Sequence, residues 1–454
     1  MRDAHFCPPR LAETLVEGEA GSYSLRSQTK MAQYFEINGG KKLKGTIEVR
    51  GSKNAATPIL AATLLTDKKC TISNIPLIED VFRMIEIIKG LGAEIKWLGK
   101  RKISIIAKNI DPKRMDYEAV KKMRSSILLL GSLSARFDNF KIPYPGGCVI
   151  GSRPVDTHLS ALEKLGVKIK QLNGFFKVDS KNCKANEIVL KEFSVTATEN
   201  AMMLAANLPG KTVIKIAATE PHVQDLAKFL SKMGAEIKGI GTNTLEIRGR
   251  KELKGATHEI IADANEAATF LILGVATKSP IRVKNVNIDH LDLVVEKLRE
   301  FGANFKIGKD YIQIIPPKNI KAVTKIDARL YPGIPTDTQA PFGVLATQAK
   351  GETLIFDSLY EGRFNYLKEL KKMGAKARIL SKHQASVKGP AKLKGKIITS
   401  YDLRAGASLI IAALIAEGRT IIKDIYQVDR GYEQIEERLQ KLGADIKRAE
   451  STKH

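Results

Sequence analysis

Apolar and polar positions recur along this chain in a fixed phrase. An amphipathic stretch leads to a large apolar residue, a glycine, a small residue and then an alternating run. The phrase occurs as Leu91-Gly92-Ala93, Leu165-Gly166-Val167, Met233-Gly234-Ala235, Phe301-Gly302-Ala303, Met373-Gly374-Ala375 and Leu442-Gly443-Ala444. The glycines are 74, 68, 68, 72 and 69 residues apart, which marks six internal repeats. Before the third glycine, Leu226, Phe229, Leu230 and Met233 fall at i, i+3, i+4 and i+7, one stripe of a helix. The glycine stands where a helix end needs positive φ. Runs such as Glu236-Ile237-Lys238 and Asp445-Ile446-Lys447 then open strands. One repeat reads as strand, helix, strand, helix, strand, strand.

A second helix in each repeat has a different pattern. Segments 55–65, 125–135, 201–206, 267–276, 340–349 and 405–416 are rich in small residues and apolar nearly all round. A helix without a polar face must be buried, so each repeat wraps sheet and outer helix around an inner one. Just before these helices stand Lys53-Asn54, Arg124-Ser125, Thr198-Glu199-Asn200, Asp263, Thr336-Asp337 and Asp402-Leu403-Arg404. Helix capping accounts for the Asn, Ser, Thr and Asp among them. It does not account for Lys53, Arg124 or Arg404, because a cation at the positive end of a helix dipole is unfavourable. Three cations at equivalent repeat positions predict a cleft in which an anion lies between them and free backbone N–H groups.

Composition bounds the chemistry. The 454 residues carry 74 Lys+Arg against 49 Asp+Glu, a formal charge of +25, with 43% hydrophobic and 27% charged residues. That is a globular composition long enough for several domains. The charge invites a nucleic-acid reading. However, the basic residues stand in ones and twos, and aromatics, at 6%, form no stacking platform. The best uncharged apolar run, 409–416, is too short for a membrane span, and the first 30 residues hold no secretory apolar core. Four scattered cysteines without a CxxC pair argue against disulfides and a zinc site, and fit a reducing cytoplasm. No metal or cofactor is expected. Residues 1–30 balance four basic against four acidic side chains, so the excess charge belongs to the rest of the chain.

One loop stands apart. Residues Pro145-Gly146-Gly147-Cys148-Val149-Ile150-Gly151-Ser152-Arg153-Pro154-Val155-Asp156 set three glycines and two prolines around a cysteine and an arginine. Such backbone freedom suits a mobile lid. Arg153 and a cation-rich cleft would lower the Cys148 thiol pKa and favour reactivity over simple packing. Cys7, Cys70 and Cys183 lack that setting and read as inert.

Six such repeats, with Gly51-Ser52-Lys53-Asn54-Ala55-Ala56 and the Cys148 loop, resemble the UDP-N-acetylglucosamine 1-carboxyvinyltransferase family. The resemblance continues through Pro335-Thr336-Asp337-Thr338-Gln339-Ala340, Tyr401-Asp402-Leu403-Arg404-Ala405 and Asp429-Arg430-Gly431-Tyr432-Glu433, and covers about residues 33–448. It implies a two-lobed inside-out α/β barrel, three repeats per lobe, with inner buried helices surrounded by sheets and outer helices. The first lobe would span 53–261 and the second 31–52 plus 262–454, with crossings near Ser52-Lys53 and Ile261-Ala262. Residues 1–30 have no family counterpart; a short tail or an upstream start is expected, with Met31 at the family start.

The activity the resemblance implies is transfer of the enolpyruvyl group of phosphoenolpyruvate to the 3-hydroxyl of UDP-N-acetylglucosamine, with release of phosphate. In the family this is the first committed step toward peptidoglycan and is cytoplasmic. By resemblance, Lys53, Arg153 and Arg430 take the phosphate, and Arg404 with Arg363 takes the carboxylate. Cys148 would protonate the enol carbon and react with fosfomycin, and Asp337 would accept the sugar hydroxyl proton. Arg124, Ser194 and Val195 would meet the uridine diphosphate, which Arg153 also reaches. Asn54, Asp263, Asp402 and Leu403 complete the expected binding set. For Asp337 the alternative is a plain helix cap, and Asn54 and Asp402 are expected to double as caps.

The chain departs from the family pattern in places. Thr196 replaces a glycine after Ser194-Val195, Glu192 stands near a usual lysine with Lys191 beside it, and Gln427 replaces a frequent histidine. Two other readings compete. A 5-enolpyruvylshikimate-3-phosphate synthase shares the chemistry but works without the loop cysteine. A basic nucleic-acid binder would cluster its cations on one face and leaves Cys148, Asp337 and the helix-start arginines unexplained.

Overall fold

The computed structural model describes residues 33–146 and 154–450. Its strands lie in six sheets, five of four strands and one of three. The third glycine phrase shows how one unit is built. Strand Glu187–Val189 is followed by helix Val195–Asn207, strand Gly210–Lys215, helix Pro221–Lys232 and strands Glu236–Lys238 and Thr244–Gly249. Gly210–Lys215 pairs parallel with Glu187–Val189 and antiparallel with Thr244–Gly249, which pairs antiparallel with Glu236–Lys238. One parallel and two antiparallel pairings recur in each four-stranded sheet.

The glycine that ends each outer helix has the backbone its position demands. Gly92, Gly166, Gly234, Gly302, Gly374 and Gly443 all have φ between +93° and +113°, a region open to glycine at little cost. After each one, the next N–H reaches back to a carbonyl five residues earlier, as Ala235 does to Leu230 at 3.2 Å. This closes the helix in a Schellman turn and aims the chain into the following strand. Leu226, Phe229, Leu230 and Met233 are buried, as the stripe requires.

The inner helices are Lys53–Ala62, Leu129–Ser134, Val195–Asn207, Ala264–Ala276, Thr336–Ala346 and Leu403–Ile415. Almost every residue in them is buried. Their starts correct the sequence reading in three places. Thr198-Glu199-Asn200 lies within the Val195 helix, not before it, and Ser194 is the cap. Asn54 is helical too, because Ser52 caps that helix by accepting from the Ala55 N–H at 3.3 Å. The segment 125–135 divides into a 3₁₀ stretch, Arg124–Leu128, and the short helix Leu129–Ser134. Buried polar groups misled the pattern in the Val195 helix, where they bond internally. Asn200 Oδ1 accepts from the Gly131 N–H at 2.7 Å, and the Thr198 hydroxyl donates to the Ser194 carbonyl at 2.8 Å.

Buried apolar side chains fall into two clusters. One holds residues from Ala55 to Ile260; the other joins Phe35–Val49 to residues from Ala267 to Ile446. The chain passes between them twice, and the two passes run side by side. Gly51 bridges Ala262, the Ser52 N–H donates to the Ile261 carbonyl at 2.7 Å, and the Asp263 N–H donates to the Arg50 carbonyl at 2.9 Å. Each pass also lends an edge strand: Gly45–Glu48 pairs with Ile281–Lys284, and Thr257–Glu259 with Cys70–Ser73. Among the described residues no helix is long and apolar enough to cross a membrane.

Candidate active site

The paired crossings bring helix starts from both clusters to one cleft of about 480 Å³. Lys53, Asn54, Arg124, Ser194, Val195, Asp263, Asp337, Arg363, Asp402, Leu403, Arg404 and Arg430 all line it. Cys148 and Arg153 lie outside the described residues. Asp263 shows how the walls are joined. It caps the Ala264 helix by accepting from the Asn265 and Glu266 N–H groups at 2.9 and 3.0 Å, and also accepts from the Lys53 N–H of the facing helix at 3.2 Å. Burial nonetheless pushes its pKa up. Asp402 is likewise a cap, accepting from the Arg404 and Ala405 N–H groups at 2.9 and 3.0 Å.

Asp337 is not a cap. It sits in the first turn of the Thr336 helix, and its carboxylate faces cations instead of backbone. Oδ1 accepts from Arg363 Nη2 at 2.9 Å and Oδ2 from Arg404 Nε at 3.0 Å. Asn265 adds a 3.5 Å contact from the neighbouring helix. Burial alone would raise the Asp337 pKa, but Arg404, Arg363 and Lys53 outweigh it and hold it well below the usual carboxylate range. Arg404 is held in turn by the Tyr432 hydroxyl, which accepts from Nη1 at 3.1 Å. The Arg363 guanidinium lies 4.9 Å from the centre of the Tyr360 ring. Its buried Nε has no acceptor among the described residues, which leaves one donor of a planar fork for an incoming oxyanion.

A second carboxylate, which the sequence reading missed, organises the other cations. Asp80 accepts from Lys53 Nζ at 3.1 Å and from Arg430 Nε at 3.0 Å. Burial opposes its ionisation, but Lys53 and Arg430 hold its pKa below the ordinary value. In sequence Glu79-Asp80 reads only as acid at a helix start, and nothing local points to a partner 350 residues away. The turn after Arg430 carries Glu433, whose buried carboxylate accepts from the Leu77 N–H at 3.0 Å and from Arg101. Arg430 is therefore tied to the opposite wall through its side chain and through its loop.

The remaining predicted and departing residues have defined surroundings. Glu192 accepts from the Thr157 hydroxyl at 2.9 Å, and His158 Nε2 lies 2.6 Å from the Thr196 hydroxyl. Gln427 Oε1 accepts from Arg430 Nη1 at 3.3 Å. Glu199, buried in the cleft wall, has its pKa raised well above normal by burial and by Glu220. Burial also raises the Cys70 thiol and pushes Cys183 up to about 11.

A cleft with two carboxylate-bridged pairs of cations, fed by helix N-termini, can bind a small molecule bearing two separate anionic groups. The family profile described as EPSP synthase (3-phosphoshikimate 1-carboxyvinyltransferase) matches residues 37–439. UDP-N-acetylglucosamine 1-carboxyvinyltransferase from Koribacter versatilis is 42% identical over 91% of this chain and 96% of its own. One from Caldanaerobacter subterraneus is 44% identical over 92% and 100%. Among solved structures, the enolpyruvyl transferase NikO from Streptomyces tendae superposes with a TM-score of 0.84 at 25% identity, covering 93% of this chain and 100% of its own. EPSP synthase from Acinetobacter baumannii shares the fold, with a TM-score of 0.72 at 18% identity over 92% of this chain and 100% of its own. The chain belongs to the enolpyruvyl transferase family, and within it to the UDP-N-acetylglucosamine 1-carboxyvinyltransferases.

Proposed function

We propose that this chain transfers the enolpyruvyl group of phosphoenolpyruvate to the 3-hydroxyl of UDP-N-acetylglucosamine, releasing phosphate, in the cytoplasm and on the route to peptidoglycan. The observation that carries the reading is the pair of cation sites on one cleft, Lys53 with Arg430 and Arg363 with Arg404. They match the phosphate and the carboxylate of phosphoenolpyruvate. The architecture we read behind it is an inside-out α/β barrel of six repeats, with lobes over 53–261 and over 31–52 plus 262–454. The two apolar clusters and the adjacent crossings support that division.

Charge ordering suggests a sequence of events. In the resting cleft Asp337 is a weak base, because two arginines hold it ionised. When the substrate carboxylate engages Arg363 and Arg404, part of that hold transfers to the substrate and Asp337 becomes more basic. It then takes the proton of the sugar 3-hydroxyl as that oxygen bonds to the central carbon of phosphoenolpyruvate. Cys148 supplies the proton that the terminal carbon gains. In the second half the Cys148 thiolate takes a proton back from that carbon, the double bond returns, and the carbon–oxygen bond to phosphate breaks. Lys53 and Arg430, with Arg153, stabilise the departing phosphate. Arg124, Ser194 and Val195 hold the uridine diphosphate, and Asn54, Asp263, Asp402 and Leu403 complete the lining.

The deciding assay is phosphate release from phosphoenolpyruvate with UDP-N-acetylglucosamine, then with shikimate 3-phosphate. Release with the nucleotide sugar alone is expected. Release only with shikimate 3-phosphate would move the chain to the sister activity, and release with neither, from folded protein, would refute both.

A further inference from the structure

The subsite read above as the phosphate site already contains an anion. The Asp80 side chain is 8% exposed and bonded to both cations that an incoming phosphate must engage, Lys53 at 3.1 Å and Arg430 at 3.0 Å. A residue needed only to gather two cations could be a neutral hydrogen-bonding group. A buried carboxylate does more, because it competes for the same donors and repels any anion that enters.

We infer that Asp80 is a positioning residue that keeps the phosphate subsite weak, so that inorganic phosphate departs once its bond to carbon has broken. This rests on reading Lys53 and Arg430 as the phosphate cations. Two cations alone would balance a phosphate dianion and hold it tightly in substrate, transition state and product alike. Such uniform binding lowers KM and slows release without speeding the chemical step. With Asp80 present, the occupied subsite carries one more negative charge than it would without it. Asp80 also keeps Lys53 and Arg430 together across the cleft when no phosphate is there, and gives up their bonds when one arrives.

Asp80→Asn retains the shape and removes the charge. Calorimetry of the resting protein with inorganic phosphate alone should show binding about tenfold tighter than wild type, or more, a difference of about 1.4 kcal/mol. In steady state, KM for phosphoenolpyruvate and kcat should both fall, and phosphate should inhibit at lower concentration. Asp80→Glu should keep wild-type phosphate affinity. If Asp80→Asn is unstable alone, phosphate should raise its Tm more than it raises that of the wild type. The double variant Lys53→Met with Asp80→Asn restores the net charge and should bind phosphate as weakly as wild type. Phosphate binding no tighter in Asp80→Asn than in wild type, or a KM that rises while kcat falls, would overturn the inference. The calorimetry needs no turnover, so it stands apart from a wild type that fails the two-acceptor assay.

Discussion

The two carboxylate clusters of the cleft use the same three-part design on different scaffolds. Asp337, Arg363 and Arg404 all rise from one apolar cluster of the molecule, and the arginine side chains are only 9% and 4% exposed. Asp80 and Lys53 belong to the other cluster and Arg430 faces them from the first, with both cations 18% exposed. One site draws all three of its members from a single apolar cluster. The other exists only when the two walls meet, and Glu433 with Leu77 and Arg101 fastens that meeting. Glu199, another carboxyl of the cleft, has no bonded cation among the described residues, and burial with Glu220 raises its pKa well above the usual range. For these three buried carboxyls, a bonded cation separates the two held ionised from the one held neutral.

Breaking the site held by a single apolar cluster should have the largest effect. Arg404→Met removes two contacts to Asp337 and one to Tyr432 in a buried setting. A stability loss of about 3 kcal/mol is expected by urea unfolding, together with a fall of about 10⁴ in kcat/KM for phosphoenolpyruvate by phosphate assay. Next comes Asp337→Asn, which keeps the shape and deletes the base. Its kcat should fall about 10³-fold with KM for phosphoenolpyruvate little changed.

Arg430→Met tests the contrast itself. Lys53 still pairs with the buried Asp80 carboxylate, and the lost partner, Arg430, is itself 18% exposed on the opposite wall. Stability should change by less than about 1 kcal/mol, while KM for phosphoenolpyruvate rises about 10²-fold. A stability loss equal to that of Arg404→Met would erase the distinction between the two scaffolds.

The smallest effects are those of pH. Asp80 and Asp337 have pKa values depressed by folding. Their contribution is therefore full above the unfolded carboxylate pKa of about 4 and is lost as pH falls toward the folded values. Glu199 has the opposite sign: its folded pKa is raised, so the native state loses stability as pH climbs past about 4. Glu199→Gln should thus be more stable than wild type at pH 8 and close to it at pH 4, as urea titrations at the two values would read.

Much of this was legible in the chain. The six turn glycines needed no structure, because their neighbours leave few other ways to end a helix. Cations at helix starts were conspicuous because they contradict the dipole, and Lys53, Arg124 and Arg404 all reach the cleft. What escaped were residues whose meaning lies in a distant partner. Asp80 and Glu433 look like ordinary acids, one in a helix start and one in a loop, until Arg430 and Arg101 arrive from the opposite wall. Glu199 and Asn200 look like loop because buried polar side chains in an inner helix break the apolar pattern. The departures at Glu192, Thr196 and Gln427 each lie beside a partner, Thr157, His158 and Arg430, and no spacing rule along the chain shows that.

In the proposed reaction the cleft joins an enolpyruvyl group to a nucleotide sugar, with Asp337 as the proposed base. Mass spectrometry of UDP-N-acetylglucosamine after incubation with phosphoenolpyruvate and protein examines that directly. Wild type should add one enolpyruvyl group to the sugar, and Asp337→Asn should add almost none in the same time. An unmodified sugar from folded wild type, or equal product from Asp337→Asn, would contradict it.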